Sequence, residues 1–143
     1  MNAMAPVRPA ELHQRRVRLA RHPAAAGEAR GHVRAALDAW QVPVDPDIAV
    51  LLTSDVVTDA IMRGAGPSVT VAIRCSRGQL RVDVYDSARP GPGFAPAPAG
   101  PVDTEARPEL ALVARLADEW GAFRTPAGNA VYFALTLESP LLP

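Results

Sequence analysis

Apolar and polar positions recur along this chain in two rhythms, one of period two and one of helical period. Breaker residues mark where one gives way to the other. Val17 and Leu19 alternate with Arg16 and Arg18 between His13 and Ala20. That alternation predicts a short strand, and the arginines predict a sheet edge guarded against stray pairing. Pro23 is expected to open a helix, because the first helical position needs no N–H. Ala29, Val33, Ala36, Leu37 and Trp40 then form one apolar stripe, which the segment from Gln41 to Pro46 ends.

A second helix is predicted from about Pro46 to Arg63, with Asp45 as its N-cap and Gly64 to Pro67 as its stop. It is apolar nearly all round and should be covered on most sides. Ser68 to Cys75 and Gln79 to Asp86 read as a hairpin turning at Arg77–Gly78. Val69, Val71, Ile73 and Cys75 share one face of it, with Leu80, Val82 and Val84. The segment 87–107 is crowded with proline and glycine; a loop of that length is uncommon in a compact domain. A third helix from Pro108 to about Asp118 follows. Strands from Glu119 to Arg124 and from Ala130 to Leu137 close the chain around a turn at Pro126 to Gly128.

The order β-α-α-β-β-loop-α-β-β does not alternate strictly, so a doubly wound parallel sheet is not expected. The predicted class is α+β, a two-layer sandwich with three helices on one face of a mostly antiparallel, mixed sheet. The boundaries are a loose N-terminal tail over 1–11, one domain over 12–139 and a C-terminal tail over 140–143.

Composition narrows the function. Fifteen basic residues balance fifteen acidic ones, so neither nucleic acid nor an anionic membrane is expected as the main partner. All the basic residues are Arg, which removes every chemistry that needs a lysine. Arg, Ala and Pro in such numbers also suit a GC-rich bacterial genome. The lone Cys75 cannot form an internal disulfide and reads as a buried hydrophobe. The three histidines lack ligand spacing and read as surface residues. No run approaches a membrane span, and no signal-peptide core opens the chain, so a cytoplasmic location is expected.

The acids are placed unusually. At about 100° per residue, Ile48, Leu52, Asp55, Asp59 and Met62 share one stripe of the second helix. Asp55 and Asp59 are therefore a like-charge i, i+4 pair set among large apolar residues, which costs stability. Asp86 falls on the inward face of its strand, after Leu80, Val82 and Val84. Three carboxylates are expected to converge where helix, sheet and long loop meet. They would serve either as a pocket, with carboxylates of the kind Mg²⁺ takes, or as local caps and ion pairs, for instance with Arg63.

Ser54–Asp55–Val56–Val57–Thr58–Asp59–Ala60 resembles the Ser-Glu-Leu-Val-Thr-Asn-Ala helix of the GHKL (Bergerat-fold) ATPases, in particular the small bacterial anti-sigma factor and serine-protein kinase branch. Val84–Tyr85–Asp86 is similar to the strand whose Asp reads the adenine amino group. Leu110 to Val113, Leu116 to Gly121, and Gly128 to Phe133 resemble the third helix, its exit and the last strand. The likeness spans roughly residues 13–138 and implies a Bergerat fold.

The departures fall on the chemistry. The family's Glu, a general base or water positioner, is Asp55; its magnesium-binding Asn is Asp59; a glycine after the adenine-reading Asp is Ala88. The glycine-rich lid becomes Arg107–Pro108–Glu109–Leu110, which removes backbone donors and places an anion where phosphate would sit. Only Asp86 is unchanged, and Arg107 offers a compensating cation. The resemblance with these losses implies a regulatory protein-binding domain, anti-sigma-factor-like, with no cofactor or only weak Mg-ATP. The alternative it leaves is an active Mg-ATP-dependent serine-protein kinase. The implied partners are a sigma factor or an anti-anti-sigma (STAS-type) protein. Arg30 stands at a partner-contact position of the first helix, and homodimerisation is a further expectation.

Overall fold

A computed structural model describes residues 11–87, 98–100, 102–126 and 128–142 of the chain. Strand β1 (Glu11–Ala20) leads into α1 (Ala25–Trp40) and α2 (Pro46–Arg63). The hairpin β2 (Ser68–Ser76) and β3 (Gln79–Asp86) follows. Beyond it come a short strand β4 (Pro98–Gly100), a single 3₁₀ turn (Pro108–Leu110) and α3 (Ala111–Leu116). The hairpin β5 (Glu119–Thr125) and β6 (Gly128–Thr136) closes the chain.

The six strands form one sheet in the order β1-β2-β3-β6-β5-β4. The two-layer α+β architecture agrees with the sequence pattern; the mixed character does not. Every strand pair among the described residues is antiparallel. The reason lies in the connections: β2–β3 and β5–β6 are hairpins, and the helical excursion after β3 reaches β5, outside β6, so that β6 returns antiparallel against β3.

One face of the sheet meets the helices. Val71, Ile73, Leu80, Val82 and Phe133 are all fully buried there, against Ala29 and Val33 of α1 and Leu52 and Val56 of α2. Cys75 is buried in the same layer, as its position in the alternation implied. Asp45 caps α2, its Oδ1 accepting from the N–H groups of Asp47 at 2.9 Å and Ile48 at 3.3 Å.

Three element ends differ from expectation. Pro23 does not open α1: Ala25 N–H bonds to His22 O, and the helix starts at Ala25 after that turn. The third helix is shorter than the apolar spacing implied. Ala117 turns extended, and Asp118 N–H joins Ala134 O in the sheet, which draws the chain out of the helix. Glu11 belongs to β1 and not to a tail. At the other end, Leu141 N–H bonds to Arg77 O at 2.8 Å, so the terminal segment is tied to the β2–β3 turn as far as it is described. Residues 1–10, 88–97, 101, 127 and 143, including Ala88, lie outside the described residues.

Among the described residues, the opposite face of the sheet carries no helix, and its side chains cover one another. Asp83, at the centre, is 0 % exposed; it accepts from Arg74 at 3.1 Å and from Arg81 at 2.8 Å. Arg81 in turn lies 3.9 Å over the ring of Tyr132, and Arg16 lies 5.3 Å over Tyr85. The small residues Ala72 and Ala130 leave room for this layer. No helix among the described residues is long and apolar enough to cross a membrane.

Candidate functional site

A cleft of about 220 Å³ opens where the C-terminal end of α2, the end of β3 and the β5–β6 hairpin meet. Asp59, Ala60, Arg63 and Gly64 form its α2 wall, Val84 and Asp86 its floor, Ala122, Asn129 and Val131 its far side, and Arg107 its lid. It forms here because α2 ends over the strand ends, where the apolar layer stops and polar side chains face each other.

Two of the three expected carboxylates meet in this cleft. Asp59 and Asp86 line it, and Asp55 is not among its lining residues. Asp55 precedes Asp59 by four residues, about 6 Å along the helix axis. It is half-buried, and burial raises its carboxyl above the ordinary value of 3.8. A carboxylate whose pKa is raised by folding contributes stability only while protonated, and that contribution is lost as pH rises through the folded pKa. Asp55→Asn should therefore be more stable than the parent at about pH 7, with the gap closing toward about pH 4. Urea unfolding at both pH values checks this; an equal gap at both, or a loss at neutral pH, would show that ionised Asp55 is held favourably.

Asp59 is 0 % exposed, yet well partnered. Arg107 grips it with a two-pronged fork: Nε donates to Oδ1 at 3.0 Å, and a terminal nitrogen donates to Oδ2. Arg63, one turn further along α2, adds a contact of 3.3 Å to Oδ1 and reaches Glu109 at 3.4 Å. The hydrogen bond to Asp59 holds the Arg107 guanidinium protonated, its pKa raised above the ordinary range. Asp59, Arg63, Arg107 and Glu109 thus form an alternating ionic chain that ties α2 to the segment before α3.

Asp86 is set in the floor by the backbone. Its Oδ1 accepts from Asn129 N–H at 3.0 Å. Two glycines make room for it. A Cβ on Gly64 would fall 2.8 Å from Asp86 Cβ, and one on Gly128 would fall 2.5 Å from Asp86 Oδ1. Gly64 was legible only as a helix stop and Gly128 only as part of a turn. Neither residue's own neighbourhood in sequence reveals what it packs against.

The magnesium nucleotide that the resemblance implies does not suit these residues. Both oxygens of Asp59 already serve guanidinium groups, which a divalent ion would have to compete with or displace. No cluster of three or more metal-ligating side chains occurs among the described residues. Glu109, 3.4 Å from Arg63, adds a further anion beside this ionic chain. Arg30 is remote from this chemistry. It is exposed on α1, and a terminal nitrogen of its guanidinium donates to Ser54 Oγ on α2 at 2.8 Å. The Ser54 hydroxyl therefore serves a neighbouring helix. His13 and His22 are exposed, and His22 Nδ1 accepts from Ala24 N–H. The chain matches no family model and no curated protein.

Proposed function

We propose that this domain is a regulatory protein-binding module of anti-sigma-factor type, in which an arginine clamp stands where relatives would hold a magnesium nucleotide. The observation that carries the reading is Asp59. It is a fully buried carboxylate whose two oxygens are satisfied by Arg107 and Arg63, at the position where the family pattern has its magnesium-binding Asn. Two positive charges beside Asp59 do electrostatically what a divalent ion would do. They also fasten the lid segment to α2 without any ligand. A protein so arranged needs no nucleotide to hold its helical layer in shape. The order of the Ser54–Ala60, Val84–Asp86 and Gly128–Phe133 motifs supports a Bergerat ancestry. Within this reading the partner is a sigma factor or a STAS-type antagonist, and Arg30 is a contact residue on the exposed side of α1.

The test is thermal unfolding against Mg-ATP. A site filled to 100 times its dissociation constant would add about 2.7 kcal/mol. We expect no saturable rise in melting temperature up to millimolar nucleotide, with or without magnesium. A clear saturable rise would instead favour the serine-protein kinase reading, in which Asp59 gives up its guanidinium partners to a metal. On the binding side, Arg30→Glu should abolish capture of the partner sigma factor from the native host while leaving the fold intact. Undiminished capture would place the contact surface elsewhere.

A further inference from the structure

β1 ends the sheet, and among the described residues it pairs only with β2. Among the described residues, the other side of this strand therefore presents a row of main-chain donors and acceptors along ten residues, Glu11–Ala20. Proteins guard such edges by shortness, proline, bulges or charged side chains that stand in the way. β1 is long and contains no proline, and its one irregularity is a register shift at its start, between Glu11 and His13.

Its arginines looked from the sequence like edge guards, but they are folded back over the sheet on both faces. Arg15 lies 5.6 Å over Trp40 on the helix side, and Arg16 lies 5.3 Å over Tyr85 on the other. Arg18 Nε donates to Ser68 Oγ at 3.1 Å, and Arg21 Nε donates to Ile61 O at 3.1 Å. These contacts draw the guanidiniums toward the body of the domain. None of the four is ion-paired with a carboxylate among the described residues. In a chain of zero net charge, the three arginines of β1 and Arg21 just beyond its end thus have no carboxylate partner among the described residues.

We propose that the β1 edge receives an extended, acidic segment of a partner protein as an added strand. Main-chain pairing supplies the register, and the flanking guanidiniums select the charge. A second copy of this chain is disfavoured as the occupant, because it would bring the same cationic strand with no acidic residue beyond Glu11 to complement it. The inference takes from the proposed function only that the partner is a protein. It does not depend on Arg30 or on the state of the cleft.

A phage-displayed library of random peptides about as long as β1, selected on the full chain, tests it. Selected peptides should be rich in Asp and Glu alternating with β-branched residues, and should bind more weakly as salt is raised. In the complex, alternate amides between residues 11 and 20 should gain protection from hydrogen exchange. Arg16→Glu with Arg18→Glu should weaken the selected peptides by roughly tenfold or more. Arg16→Gln with Arg18→Gln, the gentler pair, should weaken them in the same direction, with thermal unfolding confirming the fold of both. The proposal fails if no peptides are enriched, if the enriched ones are not acidic, or if protection falls outside β1. It also fails if a single-stranded oligonucleotide protects the same amides and displaces the selected peptides, since the edge would then be an anion track for nucleic acid. Any of these outcomes leaves the Arg30 capture experiment standing on its own.

Discussion

Arg107→Ala should lower the folding stability by about 3 kcal/mol, a fall in melting temperature on the order of 10 °C. The size follows from what the substitution leaves behind. Asp59 is 0 % exposed, and its fork from Arg107 crosses 48 residues of sequence. Without it, Arg63 at 3.3 Å is the remaining cation in contact, and it is itself partly exposed to water. Removing one partner of a buried pair is far costlier than removing both, because the survivor stays desolvated and under-compensated. Asp59→Asn combined with Arg107→Met should therefore recover more than half of the loss, and a double-mutant cycle should report strong coupling. Urea unfolding of the single and double variants decides the matter. A loss below about 0.5 kcal/mol for Arg107→Ala would reduce the clamp to an ordinary surface ion pair. The proposed replacement of a metal by a guanidinium would then have no energetic basis.

Gly128→Ala is expected to cost about 2–4 kcal/mol and to disturb the cleft floor specifically. Gly128 sits at φ +144°, where a side chain is strained. Its added Cβ would also fall 2.3 Å from the carbonyl oxygen of Asp86 and 2.5 Å from Oδ1. Backbone on that side cannot yield cheaply, since β3 is paired on both edges, with β2 and with β6. Asp86 must move, and the hydrogen bond from Asn129 N–H goes with it. Gly64→Ala should act in the same direction from the opposite side, its Cβ meeting Ala60 O at 2.3 Å. Amide spectra would show the Asn129 signal displaced in both variants. A wild-type Asn129 environment in either one would mean that Asp86 is not held between the two glycines.

Much of the scaffold could be read without coordinates. The bounds of α2 and β3 agree with the pattern residue for residue, because a proline after an aspartate cap and a glycine stop act locally. The inward faces of β2 and β3 are as alternation implies, with Val71, Ile73, Leu80 and Val82 fully buried. Helix ends were less legible where tertiary bonds compete. α3 stops early because Asp118 N–H has a sheet partner, which no window of neighbouring residues reveals.

The site divides in the same way. Spacing alone places Asp55 and Asp59 on one stripe of a helix and Asp86 on the inward face of a strand, since both periodicities are properties of a few consecutive residues. Whether those acids meet, and in what ionic state of partnership, depends on where the helix ends relative to the sheet. It depends equally on a loop arginine that arrives from 48 residues away. That is why Asp55 could be grouped with the cleft and yet lie outside its lining, and why Arg107 could be seen as a spare cation but not as the clamp on Asp59. The edge arginines teach the same lesson. Their positions were written in the alternation, but the direction each one folds was decided by Trp40, Tyr85, Ser68 and Ile61, residues that come near only when the layers close.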